Sequence, residues 1–275
     1  MTAALPETSA VQTRLDDGVL WLTLSRPEVK NAMNAEMIDD IVGVFAAIRD
    51  RRDVRAVVLR GAGGNFCAGG DVKDMAASRA ATWREGEPDP VAAMNRRFGT
   101  VMLAVDRAPQ AVVVVLEGAV LGGGFGLACV ADVAIARADA RFGLPETGLG
   151  LPPAQIAAFL VRRLGLSEAR RLAVTGGRFD GEVAARIGLV HAVAADDHAL
   201  ERELAAALAQ IRRCAPGAIA ATKHIMAQVG AMDLERVLDE AAAVFATAVR
   251  GPEGSEGTMA FLQKRKPAWA DGTDR

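Results

Sequence analysis

The chain has 275 residues, of which 51% are hydrophobic, and its 32 basic residues against 34 acidic ones leave a formal charge of −2. That apolar content excludes a disordered chain, and the charge balance excludes the positive surplus that gathers nucleic-acid backbones. Cys67, Cys129 and Cys214 lack C-x-x-C or His/Cys spacing, which leaves neither a disulfide framework nor a metal site to expect.

No apolar stretch reaches about 20 residues without interruption, and the opening Met1 to Glu7 lacks a basic start and apolar run. The reading is therefore a soluble cytoplasmic protein with a short frayed N-terminus and no membrane or nucleic-acid partner. Val19 to Leu24 reads as a largely buried strand ended by Pro27. A helix follows from an Asn34 cap, with apolar residues at helical spacing up to Ile48. Ala56 to Arg60 is the next strand and runs into a glycine loop, Gly61 to Asp71.

The same order then repeats. A helix near Met94 to Ala104 precedes the strand Val112 to Leu116, the triple glycine Gly122-Gly123-Gly124, a short helix around Phe125 to Ala131 and the strand Val133 to Ala136. Helical stretches over Pro153 to Arg163 and Ser167 to Leu172 follow. A capped helix from Asp180 to Gly188 leads into a strand from Leu189 to Val193. Such alternation implies an α/β fold with parallel strands. Beyond Ala199 the strand signal gives way to alanine-rich helices, so a core over 1–198 and a helical subdomain over 199–275 are expected. The polar stretch 76–93, broken by Pro88 and Pro90, reads as a mobile segment over the site.

Two glycine loops carry the chemistry. In Phe66-Cys67-Ala68-Gly69-Gly70-Asp71 the backbone N–H of Ala68 is the candidate ligand donor. Leu121 to Phe125 places unpaired amides at the start of a helix, whose dipole favours developing negative charge. Tight turns and close packing account for many such loops on their own. The triple glycine lacks G-x-G-x-x-G spacing and no Gly-Lys-Ser/Thr occurs, which removes dinucleotide and P-loop readings. His191, His198 and His224 lie outside these motifs and read as packing or surface residues, and Cys67 as a small packing residue.

Arg26-Pro27-Glu28-Val29-Lys30-Asn31-Ala32-Met33-Asn34, the Phe66 to Asp71 loop, Glu117 to Gly124, Phe142-Gly143-Leu144-Pro145-Glu146 and Phe261 to Pro267 together resemble the enoyl-CoA hydratase/isomerase (crotonase) superfamily. The resemblance spans nearly the whole chain. It implies a crotonase fold of repeated ββα units, a helical C-terminal trimerisation subdomain, and a homotrimer or dimer of trimers. It also implies an acyl-CoA thioester substrate, with coenzyme A as part of that substrate and no separate cofactor. By motif, Ala68 and Gly123 supply oxyanion donors. Glu28, Val29, Gly70, Asp71, Val72 and Gly122 line the coenzyme A path, and Phe261 and Lys264 reach its adenine and phosphate end. Lys264 reads equally well as a solvated cation.

Hydratases of this family hold water between two glutamates, and only Glu146 matches; Gly126 stands at the other position. In an apolar pocket Glu146 is expected to have a raised pKa suited to shuttling protons, although a carboxylate at a helix start is also favourable in itself. The leading expectation is reversible hydration of a 2-enoyl-CoA. The overall similarity is to hydratases of branched glutaconyl thioesters such as isohexenylglutaconyl-CoA in acyclic terpene breakdown. The missing acid would then come from Glu85, Glu87 or a substrate carboxylate. A Δ3,Δ2-enoyl-CoA isomerase with Glu146 as single proton shuttle and a silent acyl-CoA binding protein are the alternatives. Trp83 and Phe98 are candidate walls of the acyl pocket.

Overall fold

The computed structural model describes residues 4–270. Its centre is a six-stranded sheet in the order β1-β2-β3-β4-β6-β9. These strands are β1 (Val11–Asp16), β2 (Val19–Leu24), β3 (Ala56–Gly61), β4 (Ala111–Leu116), β6 (Val133–Arg137) and β9 (Ala192–Ala194). All neighbours are parallel except β1, an antiparallel edge strand joined to β2 through Asp17 and Gly18. A second sheet pairs β5 (Ala119–Leu121), β7 (Arg141–Gly143) and β8 (Arg178–Phe179). The chain thus forms the mixed α/β architecture expected from its alternating pattern.

The valine run of β4 is buried at every position because helices cover both faces of the sheet. Leu20, Leu22, Val57, Leu59, Val112 and Val114 face one layer, made with α1 (Ala35–Ile48), α3 (Pro90–Asp106) and α4 (Gly123–Val130). Val19, Val58, Val113, Val115 and Ile135 face the other, against Leu200, Leu204 and Leu208 of α7 (Asp197–Arg212). The period of two along each strand produces this division. The boundary expected at 198/199 therefore falls inside a helix that belongs to the core. The remaining helices, α8 (Pro216–Gln228), α9 (Leu234–Arg250) and α10 (Pro252–Leu262), form the C-terminal helical part.

Three local expectations change. The stretch 76–93 is largely helical, since α2 (Val72–Ala80) takes its beginning and α3 its end, leaving 81–89 between them. Pro90 starts α3 instead of breaking it, because the first turn of a helix needs no proline N–H, and Asp89 caps the adjoining amides of Val91 and Ala92. The two helices expected between Pro153 and Leu172 form α5 (Ala157–Thr175), interrupted at Gly165 by non-helical backbone. Asp180 does cap α6 (Gly181–Arg186), whereas the strand expected from Leu189 is confined to β9.

Candidate active site

The two glycine loops are stitched side by side. Phe66 N–H donates to Glu117 O at 2.7 Å, Cys67 N–H to Ala119 O at 2.8 Å, and Leu121 N–H to Cys67 O at 2.9 Å. α4 packs so closely on this seam that a methyl group on Gly124 would lie 2.7 Å from the Cys67 carbonyl oxygen, a contact with backbone that cannot yield. Just before α4, Gly122 takes a φ of 49°, in the region where glycine is at no steric disadvantage. That bend leaves the Gly123 amide without an intrahelical acceptor at the helix start.

The first loop corrects the choice of donor. Ala68 N–H is already bonded to Lys30 O at 2.9 Å, and Gly69 N–H faces Cys67 Sγ at 3.4 Å. Met33 N–H donates to Gly69 O and Asp71 N–H to Met33 O, so Met33 pairs with Gly70 as in a parallel ladder. Alternation along extended backbone turns the Gly70 N–H away from Met33. It has no hydrogen-bond partner among the described residues, and the space beside its Cα is open. Gly70, placed at sequence level on the coenzyme A path, thus offers the free amide that Ala68 does not.

Asn31 holds this loop, a role its place in the motif did not reveal. It is fully buried with a left-handed φ of 56°, a conformation asparagine tolerates better than most residues. Its Oδ1 accepts from Arg26 N–H at 2.9 Å, and its Nδ2 donates to Ala62 O at 2.9 Å and Asn65 O at 2.7 Å. Asn31→Ala orphans three backbone groups, and an expected loss of about 3 kcal/mol, read as a lowered urea midpoint, follows. An unchanged midpoint would remove Asn31 from this role.

Glu146 follows β7 and sits on a 3-10 turn, Pro145–Leu149. Phe142 anchors that strand, stacking on Phe179 with centroids 5.6 Å apart and meeting Phe125 of α4 edge to face at 6.3 Å. Gly122 N–H donates to Gly143 O at 3.1 Å, and Thr147 Oγ1 to Ala173 O at 2.9 Å, which ties both ends of the segment. The carboxylate lies against the second loop, with Oε1 2.8 Å from where a methyl group on Gly122 would stand. Oε2 is buried and has no hydrogen-bond partner among the described residues. Burial raises the Glu146 pKa and its own backbone N–H offsets part of that rise.

The position opposite is occupied by apolar atoms. A methyl group on Gly126 would lie 3.0 Å from Met102 Sδ and 3.2 Å from Ile156 Cγ1. One on Gly123 would lie 2.6 Å from Met33 Cε and 3.0 Å from Phe98 Cε2, which places Phe98 beside the triple-glycine loop. Glu85 and Glu87 are exposed in 81–89, and Trp83, also exposed, donates its Nε1 to Glu87 O at 2.9 Å. The apolar residues that meet Gly126 come instead from α3 and from Ile156, the residue just before α5.

The other sequence-level candidates are distributed as follows. Asp71 caps α2 through Lys73 N–H at 2.9 Å and pairs with Arg26 at 2.9 Å. Burial pushes its pKa up, and these two partners outweigh it to leave the carboxyl below its ordinary value. Glu28 is exposed and Val29 half-buried on the turn before Lys30, while Val72 opens α2 and is exposed. Phe261 is 84% exposed at the end of α10, which packs on α9, and Lys264 follows it with a left-handed φ of 54°. Neither is joined to the glycine loops by a hydrogen bond or ion pair among the described residues.

The histidines stand apart from the loops: His191 accepts from Ala134 N–H, and His224 pairs with Glu240 on the C-terminal helices. Cys67 is buried, which pushes its thiol up to about 12, as expected of a packing residue. Among the described residues no group of three metal-ligating side chains occurs, and no helix is long and apolar enough to cross a membrane.

A pair of linked glycine loops with two amides free among the described residues, beside a half-buried carboxylate, defines a class of site suited to a carbonyl that gains negative charge. Residues 14–272 match the model of the Enoyl-CoA hydratase/isomerase family, and the chain belongs to that family of enzymes, with its crotonase fold. The solved structure of Pseudomonas aeruginosa AtuE is 56% identical, superposes with a TM-score of 0.92, and covers 96% of this chain and 100% of its own. The 2,3-dehydroadipyl-CoA hydratase of Escherichia coli (strain K12) is 31% identical over 90% of this chain and 94% of its own length. Enoyl-CoA hydratase ACTT6 of Alternaria alternata is 34% identical over 74% of this chain, which spans 64% of that relative's length.

Proposed function

We propose that the protein hydrates a 2-enoyl-CoA reversibly, through a thioester enolate held by the amides of Gly70 and Gly123. The observation that carries this reading is the Glu146 carboxylate, whose Oε2 is buried without a partner among the described residues and whose Oε1 lies against Gly122, one residue from a free amide. Glu146 takes a proton from water as the oxygen bonds to C3. Electrons move to the thioester oxygen, and Glu146 returns the proton to C2. Each amide stabilises charge absent from the ground state, a contribution of ~10²-fold or more per donor.

The substrate supplies coenzyme A, and no further cofactor enters the scheme. Glu28, Val29, Asp71 and Val72 lie around the first loop, where the coenzyme A path is proposed. A branched glutaconyl thioester is the finer reading of the acyl group. Gly126 favours a second reading, the Δ3,Δ2-enoyl-CoA isomerase, because one base suffices to move a proton between C2 and C4 and Met102 and Ile156 fill the space of another.

A homotrimer or dimer of trimers in the cytoplasm completes the proposal. Leu234, Leu238, Phe245 and Val249 form an exposed apolar stripe along α9, and Phe261 and Leu262 are exposed on α10, area that association would bury.

Assays with crotonyl-CoA, a 3-enoyl-CoA and a 3-branched glutaconyl-CoA separate the readings, since hydration removes conjugated absorbance and isomerisation creates it. Silence with all three leaves only acyl-CoA binding. Gly70→Pro, which removes one amide, is expected to lower kcat ~10²-fold. Ala68→Pro breaks the bond to Lys30 and is expected to lower Tm instead. The reverse pattern would restore Ala68 as the donor.

A further inference from the structure

α3 carries a polar cluster directly beside the apolar wall. Phe98 and Met102 meet Gly123 and Gly126, and Asn95 stands one turn before Phe98 on the same helical face. On the facing segment Ile156 meets Gly126, and the residue before it is Gln155. Gln155 Nε2 donates to Asn95 Oδ1 at 3.0 Å. That bond consumes the acceptor of Asn95 and leaves its Nδ2, a donor, without a partner among the described residues.

Gly99 explains how the two side chains meet. Glycine is among the poorest residues for a helix interior, yet it stands here mid-helix and buried. A methyl group at this position would lie 2.2 Å from Gln155 Oε1 and 2.9 Å from Arg96 Nη1. The absent side chain is the space across which Gln155 reaches Asn95 and beside which the Arg96 guanidinium lies. Arg96 has no ion pair or hydrogen bond among the described residues, although Arg97 next to it is paired with Asp39. A free guanidinium and a free carboxamide N–H on one helical turn are donors only, and a carboxylate is an acceptor only.

We propose that Arg96 and Asn95, with Gln155 as the positioning residue, form a subsite for a carboxylate at the distal end of the acyl group. The spacing suits a short dicarboxylic thioester. Asn95 lies about 5 Å along α3 from Phe98 by helix rise. The second carboxylate of a glutaconyl group lies about 5 Å from its thioester carbon. The subsite rests on the acyl-thioester reading above and names the chemistry of the acyl end.

Calorimetric titration with glutaryl-CoA and butyryl-CoA tests the subsite without any chemical step, because both acyl groups are saturated. The wild-type protein is expected to bind glutaryl-CoA about tenfold more tightly, the contribution of one charge-assisted hydrogen bond. Arg96→Ala should bring the two affinities together, and Arg96→Glu should reverse the preference by repelling the carboxylate. Arg96 is exposed and helical, so both variants keep good helix formers at an open position. Equal affinities in the wild type, or a preference unmoved in both variants, overturns the subsite while leaving thioester binding intact. Binding of neither thioester overturns the acyl-thioester reading and the subsite with it.

Discussion

Glu146→Gln is expected to lower kcat by ~10³-fold for hydration and isomerisation alike, since general acid/base transfer contributes ~10² to 10⁴ and the Glu146 carboxylate lies against the triple glycine. The amides of Gly70 and Gly123 remain, so thioester binding should persist. In the wild type, kcat/KM should rise with pH through the Glu146 pKa, which burial places above the ordinary carboxylate value. The variant should lose that limb of the profile. Retention of most activity would shift the proton transfer to another group.

The same substitution has a second expected readout. A carboxyl whose folded pKa is raised stabilises the fold fully below its unfolded pKa, and that stability is lost as pH rises through the folded value. Above that folded value the native chain carries an ionised Glu146 that burial solvates poorly. Glu146→Gln removes that charge, so in a series of Tm measurements against pH the wild type should lose stability relative to the variant as pH rises through the raised Glu146 pKa, with the difference constant in acid. A carboxylate that weakens the fold fits the proposed role of Glu146 in a site shaped for reactivity.

Gly126→Glu is expected to destabilise the protein by about 4 kcal/mol and to leave hydration no faster. The side chain would enter space held by Met102 Sδ and Ile156 Cγ1, and overpacking of this kind costs about 1–3 kcal/mol. Its carboxylate would then be buried without a cation, and the penalty for such a charge is several kcal/mol more. For a chain of this size the sum is read as a Tm lower by roughly 10 °C. Faster hydration with an unchanged Tm would mean that the wall yields readily and that the geometry for a two-carboxylate site persists. Position 126 is part of the apolar wall, and on the proposed mechanism reaction type turns on how Glu146 handles water or C4.

Elements with one clear period were legible in the sequence. β2, β3 and β4 are apolar runs bounded by turns, and α1 and α6 start at side-chain caps that the structure contains at Asn34 and Asp180. β1 was not legible, because an edge strand facing solvent on one side reads VQTRLD and carries little apolar signal. β5, β7 and β8 were missed because two or three residues show no period, and their pairing is what brings Glu146 to the triple glycine. The helix over 90–106 was read short because a proline that opens a helix looks like one that ends it.

The sequence by itself determined the alternating architecture, the two glycine loops, the retained Glu146 and the absence of a carboxylate at position 126, since these depend on residue type and local spacing. Which amide is free was decided only by tertiary structure: Ala68 and Gly70 have the same backbone chemistry, and their alternation beside Met33 and Lys30 commits one and exposes the other. Tertiary packing likewise decided that Gly126 meets Met102 and Ile156, and that Asn95, Arg96 and Gln155 converge over Gly99. Contacts between residues up to 60 positions apart make these arrangements, and nothing in local spacing encodes which side chains will share a wall once the loops are paired.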